Sequence, residues 1–228
     1  MNQKNSYVVC GVRSHNLAVF HDTISRFPGR WIFVSKRDDL CLENLEQLDP
    51  RYVFFLHWSW FVPEEIHTKY ECINFHMTDL PYGRGGSPLQ NLILRGHADT
   101  VLTAHYMTDQ IDSGAIYLKQ TLSLDGSAND ILSRASHLAA SMIRTIVDNE
   151  PTPLPQVGMP TNFTRRVPKQ SEVPHEIEKL SDLYDYIRML DGEGYPPAYF
   201  CGTHFRYEFR SAQLEGNELH ASVTITKI

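Results

Sequence analysis

No two cysteines lie close enough along this chain to suggest a CxxC site. Cys10, Cys41, Cys72 and Cys201 are spread over 228 residues, which argues against zinc-ribbon and dithiol redox chemistry. The reading that remains is buried, reduced thiols in a cytoplasmic protein. Histidine gives no metal signal either: His57, His97, His105 and His204 have no ligand spacing, so no metal is expected. No apolar run approaches the length of a membrane span. The opening Met1-Asn2-Gln3-Lys4-Asn5 is polar and reads as carrying no signal peptide, so no membrane partner is expected. Positive charge is in short supply, with 21 Lys and Arg against 27 Asp and Glu and a net charge of −6. A phosphate-backbone partner normally asks for a basic face, so this acidity counts against nucleic acid as the main partner and no nucleic acid is expected. Internal repeats and low-complexity tracts are absent too.

What is present is a core. Composition is 42% hydrophobic and 21% charged, and the length suits one large domain or one domain with a small appendage. Apolar, β-branched runs alternate with helical spacing through the first two-thirds. Tyr7–Val12, Trp31–Val34, Tyr52–Leu56 and Glu71–His76 read as strands. Between them lie a helix capped by Ser14 and carrying Leu17, Phe20 and Ile24, a short helix from Asp38 to Leu48, and one opened by Pro63. Continuous apolar strands separated by helices predict an α/β fold with a mostly parallel sheet covered on both faces.

A helix after Ser87-Pro88, strands over Thr100–Met107 and Ala115–Leu124, and a long helix from Asn129 to Asp148 follow. These complete an expected catalytic domain over residues 1–150. Pro151, Pro153, Pro155, Pro160, Pro168 and Pro174 punctuate a connector over 151–174. Residues 175–228 read as a small subdomain, with a helix over His175–Leu190 and a β-hairpin of Tyr199–Arg210 and Glu218–Thr226. The hairpin can pair with a second copy to make a homodimer, or Val223, Ile225 and Ile228 can close the monomer's own core.

Chemistry concentrates at Asn74-Phe75-His76 and Asp112-Ser113-Gly114. Residues i and i+2 of a strand share a face, so the Asn74 amide and His76 imidazole point together while Phe75 packs the other way. In an open parallel sheet, ligands gather beyond the C-terminal strand ends. Asp112, in the turn after the next strand, is placed to join them. Such a set suits transfer of an acyl group to an amine. Asn74 and His76 can donate to the developing oxyanion, and Asp112 can orient His76, raise its pKa and accept the amine's proton.

The run Asn74-Phe75-His76-Met77-Thr78-Asp79-Leu80-Pro81-Tyr82-Gly83-Arg84-Gly85-Gly86-Ser87-Pro88, with Ile111-Asp112-Ser113-Gly114, resembles the core motif of the N10-formyltetrahydrofolate-dependent formyltransferases. The likeness covers Tyr52–Leu124 well and the first fifty residues weakly. It implies a Rossmann-like formyltransferase fold and N10-formyltetrahydrofolate as formyl donor, and it puts Asn74, His76 and Asp112 in the family's catalytic triad. It also frames a pterin slot between Trp58–Val62 and Thr108–Ile111. The folate contacts it implies are Trp60, Phe61, Val62, Thr108, Asp109, Gln110 and Ile111. Trp58 and Trp60 serve equally well as core aromatics or as walls of that slot.

On the acceptor side the candidates are Tyr82, Arg84 and Gly85, with Arg13 of the Gly11-Val12-Arg13-Ser14 turn, whose N–H groups can face a phosphate. Arg84 can instead anchor its own loop, and Arg165-Arg166 can be a solvated pair or a ligand site. Phe163–Pro168, Tyr186-Ile187-Arg188 and Gly194–Ala198 resemble segments of the sugar-nucleotide branch of the family. That resemblance implies a nucleotide-linked amino sugar, a 4-amino-4,6-dideoxyhexose, as acceptor. About fifty residues after Pro174 are too few for the usual barrel of the tRNA-modifying members. Glycinamide ribonucleotide, an aminoacyl carrier, and a non-catalytic folate- or nucleotide-binding module remain as alternatives.

Overall fold

The computed structural model describes residues 5–228; the polar stretch Met1–Lys4 lies outside the described residues. The chain forms two compact units. One comprises the chain up to Gly85, Thr100–Leu122 and Ser133–Asn162; the other comprises Gly86–Asp99, Ser123–Leu132 and Phe163–Ile228.

In chain order the main elements begin with β1 (Ser6–Gly11), α1 (Ser14–Asp22), β2 (Arg30–Val34), α2 (Leu42–Leu48), β3 (Tyr52–Leu56), α3 (Glu64–His67) and β4 (Cys72–His76). Next come β5 (Arg84–Gly85), α4 (Pro88–Ile93), β6 (Asp99–Tyr106), β7 (Ile116–Ser123) and α5 (Ala128–Asn149). The chain closes with β8 (Asn162–Phe163), α6 (Leu180–Arg188), β9 (Ala198–Cys201), β10 (Phe205–Glu215) and β11 (Glu218–Lys227).

Six strands make the principal sheet, in the order β2-β1-β3-β4-β6-β7. β1 pairs parallel with β2 and β3, and β3 with β4. β6 then joins β4 antiparallel. The mostly parallel α/β class expected from the sequence is therefore the observed one. Its strands are apolar on both faces because both faces are covered. Tyr7, Trp31 and Phe54 stack in a row across three strands on one face, and Phe75 continues it. Val8, Cys10, Val34, Val53, Phe55 and Cys72 form the other face, packed with Leu40, Leu45, Ile66 and Tyr70.

The order reverses direction at β1, with β2 on one side and β3 on the other. The C-terminal ends of β1 and β3 at such a reversal, with β4 next to β3, are where ligands gather in sheets of this kind. The antiparallel β6 is what brings residues 103–106 beside β4, with His105 directly opposite Asn74 and Thr103 opposite His76.

Several local readings need correction. Arg13, not Ser14, is the residue before α1, and α1 ends at Asp22; Ile24 sits in a separate 3₁₀ turn, and Leu17 is exposed. The stretch 38–48 divides into a 3₁₀ turn at Arg37–Asp39 and α2. α6 begins at Leu180, since a turn closed by the Ile177 N–H on the Pro174 carbonyl occupies the preceding residues. Tyr199–Arg210 is not one strand: Gly202 turns the chain, its N–H bonding the Phe205 carbonyl. The expected hairpin is therefore a three-stranded sheet, β11-β10-β9. Cys10 and Cys72 are buried as expected, but Cys41 is half-buried and Cys201 exposed. No helix among the described residues is long and apolar enough to cross a membrane.

Candidate active site

Asn74 and His76 end β4, and Asp112 belongs to the loop between β6 and β7. The structure brings all three together. Asn74 Nδ2 lies 3.3 Å from Asp112 Oδ1, and His76 Nδ1 lies 3.5 Å from Asp112 Oδ2. Phe75 packs into the core instead, as strand alternation requires.

The hydrogen-bond partners fix which ring nitrogens carry protons. His76 Nε2 is 2.8 Å from the Gly83 carbonyl oxygen. A carbonyl only accepts, so Nε2 carries the hydrogen. Nδ1, facing Asp112, is then the atom that titrates. Burial pulls the His76 pKa below its ordinary value; the Asp112 charge and the Gly83 bond oppose this, and His105 adds to it. The expectation that Asp112 raises the His76 pKa holds for that one contribution, but burial outweighs it.

Asp112 behaves oppositely. Burial alone would raise its pKa. The hydrogen bond from His105, the charges of His76 and His105 and the Gly85 N–H overcome that and hold it at about 2. The Gly85 N–H donates to Oδ2 at 2.9 Å. Asp112 also has φ +52°, a left-handed conformation uncommon outside glycine. Two residues on, a Cβ on Gly114 would lie 1.8 Å from the Tyr106 carbonyl oxygen, so this backbone approach needs glycine.

His105 is the member that sequence reasoning missed. Its Nδ1 donates to the Tyr106 carbonyl at 2.9 Å. Its Nε2 lies 3.3 Å from both Asp112 Oδ1 and Asn74 Nδ2. The only sequence signal was its place in a predicted strand; that this strand runs antiparallel beside Asn74 depends on tertiary pairing.

The candidate folate segments are neighbours. Trp58, Val62 and Met107 pack against one core cluster, and His67 of α3 reaches Asp109 at 3.6 Å. Trp58 is partly buried against that cluster and meets Trp60 edge-on at 4.9 Å. Trp60, Phe61 and Ile111 are exposed, Phe61 at 85%. Thr108 bonds the Gln110 carbonyl and the Ser113 hydroxyl, closing its own turn. The Trp58 Nε1–H is buried without a hydrogen-bond partner. Such a donor beside exposed aromatic and aliphatic side chains fits a flat heterocycle that carries acceptor atoms.

The acceptor candidates have hydrogen-bond partners within the protein. The Arg84 guanidinium is bound to Gln156, and Gly85 serves Asp112 through its backbone. Tyr82 is half-buried in the turn after Pro81 and donates its N–H to the Asp79 carbonyl. Arg13 precedes α1 and donates its N–H to Asn16 Oδ1 at 3.0 Å. Asn16 in turn contacts His57 Nδ1 at 3.2 Å, and burial, with His15 and Arg13 nearby, holds the His57 pKa down at about 3. In the second unit Arg166 bonds the Gln170 carbonyl and the Tyr186 hydroxyl, and Arg165 packs onto Gly86, where a Cβ would lie 2.4 Å from it. No group of three or more candidate metal ligands occurs among the described residues.

Known proteins are similar across most of the chain. A family model described as formyl transferase matches residues 16–145, and one described as methionyl-tRNA formyltransferase, C-terminal domain, matches residues 168–226. A methionyl-tRNA formyltransferase of Bacillus mycoides is 28% identical over 165 residues, covering 69% of this chain and 52% of the relative. The chain thus spans about half the length of the curated relatives it matches. A solved methionyl-tRNA formyltransferase from Clostridium thermocellum is 39% identical with a TM-score of 0.92, covering 97% of this chain and 99% of that one. A 4-N formyltransferase from Francisella tularensis is 17% identical with a TM-score of 0.68, covering 88% of this chain and 93% of that one, and shares the fold. On the match of residues 16–145 and the Clostridium relative, this chain belongs to the formyl transferase family.

Proposed function

We propose that the protein is an N-formyltransferase that moves the formyl group of N10-formyltetrahydrofolate to the amine of a nucleotide-linked amino sugar, a 4-amino-4,6-dideoxyhexose. The observation that carries the reaction is the convergence of Asn74, His76 and Asp112 on one buried point, with His105 completing the ring. The folate supplies an activated formyl carbon. The chain's own residues do the rest.

As the amine attacks that carbon, negative charge grows on the formyl oxygen. Asn74 donates its amide N–H there; its 3.3 Å contacts with Asp112 and His105 are long enough to yield to a better acceptor. Asp112, held near pKa 2, is a fixed anion and a weak base. His76 Nδ1, kept neutral by burial, is the better proton acceptor. Once protonated it becomes an N–H donor beside the Asp112 carboxylate. The proton lost by the amine thus passes to Nδ1 and on to the departing N10, so the new C–N bond forms as the old one breaks. Asp112 stabilises the imidazolium while it exists.

The amino-sugar acceptor rests on the likeness of the segments after Phe163 to the sugar-nucleotide branch, on the net charge of −6 and on the fold shared with the Francisella 4-N formyltransferase. The second reading is an aminoacyl amine on tRNA, favoured by the C-terminal match over 168–226 and by the Clostridium relative's name. One experiment separates them. The protein is incubated with N10-formyltetrahydrofolate, UDP- and dTDP-linked 3- and 4-amino sugars and methionyl-tRNA, and products are read by mass spectrometry. The expected result is a formyl group on one 4-amino sugar, with turnover reduced about 10²–10⁴-fold in Asp112→Asn and folate binding retained. Formylation of methionyl-tRNA alone supports the second reading. No transfer to any amine, from a protein that binds folate, overturns both.

A further inference from the structure

We propose that Gln156 is a positioning residue of the formyl-transfer site: it clamps the loop that carries Asp112 and so keeps the carboxylate against His76 and Asn74. The assignment deepens the transferase reading above and rests on it. The candidates named from the sequence did not include Gln156, which lies in the proline-rich stretch.

Its surroundings make the inward turn of this side chain informative. Leu154, Val157 and Met159 nearby are exposed at 68%, 89% and 90%. Gln156 alone among these four reaches in, and its hydrogen-bonding capacity is used at both ends. Nε2 donates to the Asp112 carbonyl at 2.8 Å and to the Gly114 carbonyl at 2.9 Å. Oε1 accepts from Arg84 Nε at 3.1 Å and Nη2 at 2.6 Å. Two carbonyls on one side and a guanidinium on the other leave a single orientation for the amide. The Arg84 charge polarises the amide and strengthens its donation to the loop.

The loop needs an external hold. Asp112 sits at φ +52°, and conformations of this kind persist only where the surroundings over-determine them. Two residues later Gly114 presses against the Tyr106 backbone. Gln156 binds the carbonyls on either side of Ser113, spanning the strained residue and the tight one. Its own position is set by reciprocal backbone bonds between Leu154 and Ile116, at 2.9 and 2.7 Å. Arg84 is followed by Gly85, whose N–H grips the Asp112 carboxylate. Arg84, Gln156, Asp112 and Gly85 therefore close a ring. It fixes the Asp112 main chain from one side and its side chain from the other.

The test uses the full chain with Gln156→Met, which keeps length and removes every hydrogen bond, and Gln156→Asn, which keeps the amide but is one methylene short. Two readouts are taken. The first is steady-state kinetics with the acceptor found active for the wild type. The second is an NMR titration of ¹⁵N-labelled His76, which reports the nearness of the Asp112 charge whether or not the wild type turns over. We expect kcat to fall about 10–100-fold in Gln156→Met with the folate KM changed less than about threefold. As the Asp112 charge moves away, the His76 midpoint falls by about half a pH unit or more. Gln156→Asn lies between, and it carries the test if Gln156→Met does not fold. An unchanged His76 midpoint overturns the proposal, as does an unchanged kcat in a variant of an active wild type. A wild type inactive on every amine overturns the transferase reading instead, while the titration still decides whether Gln156 holds Asp112.

Discussion

At the scale of single residues, the site sets a base and an acid against each other. His76 has one nitrogen committed to the Gly83 carbonyl and the other facing Asp112. Burial dominates its pKa and lowers it. The active neutral form therefore persists below pH 6.5, the ordinary histidine value. The acid limb of kcat/KM is expected below that pH, because activity is lost only as Nδ1 takes up a proton. A limb above it, in a profile measured at saturating folate, would contradict the neutral-His76 mechanism. Asp112 makes a separate stability prediction. Its folded pKa of about 2 lies below the ordinary 3.8, so the carboxylate contributes stability that is full above pH 4 and lost as pH falls through 2. That contribution is on the order of 2 kcal/mol. Urea unfolding at pH 5 and pH 2.5 should show a larger loss for wild type than for Asp112→Asn; an equal loss would refute the assignment.

At the scale of elements, loops do the work that the motif residues need. Gly114 lets the loop between β6 and β7 pass against the Tyr106 carbonyl. Gly114→Ala is expected to cost about 1–3 kcal/mol by overpacking and to lower kcat along with it, since the displaced residue is two positions from Asp112. Thermal unfolding and turnover measured together check this; a variant with wild-type stability would mean the loop is looser than described. Motif and strand were legible at this scale. Tyr52–Leu56 was read to the residue because a short β-branched and aromatic run between turn signals has few alternatives. α6 and the β9–β10 turn were misread. In each case one local hydrogen bond, Ile177 to Pro174 or Gly202 to Phe205, interrupted a pattern that side-chain periodicity alone would have continued.

At the scale of the whole molecule, charge bears on the choice of acceptor. A tRNA held through many phosphates would lose affinity steeply with salt, whereas a nucleotide sugar presents only two phosphates. On the amino-sugar reading, kcat/KM should fall less than about tenfold between 50 and 200 mM salt. A far steeper fall would move the assignment to the tRNA reading.

The sequence by itself determined the α/β class, the pairing of Asn74 with His76 on one strand face and the membership of Asp112. Strand alternation and register-fixed motifs are local properties that survive without coordinates. It could not supply His105, Gln156, or the sign of the His76 shift. Whether Arg84 faces a ligand or its own loop was also open to it. Each of these depends on which distant segment lies alongside. β6 had to pair antiparallel with β4 before His105 could stand opposite Asn74. Leu154 had to pair with Ile116 before Gln156 could reach the Asp112 loop. Burial of His76 had to be complete enough to outweigh the carboxylate beside it. Neighbours brought together across 30 or 70 residues leave no spacing in the sequence; tertiary packing alone decided them.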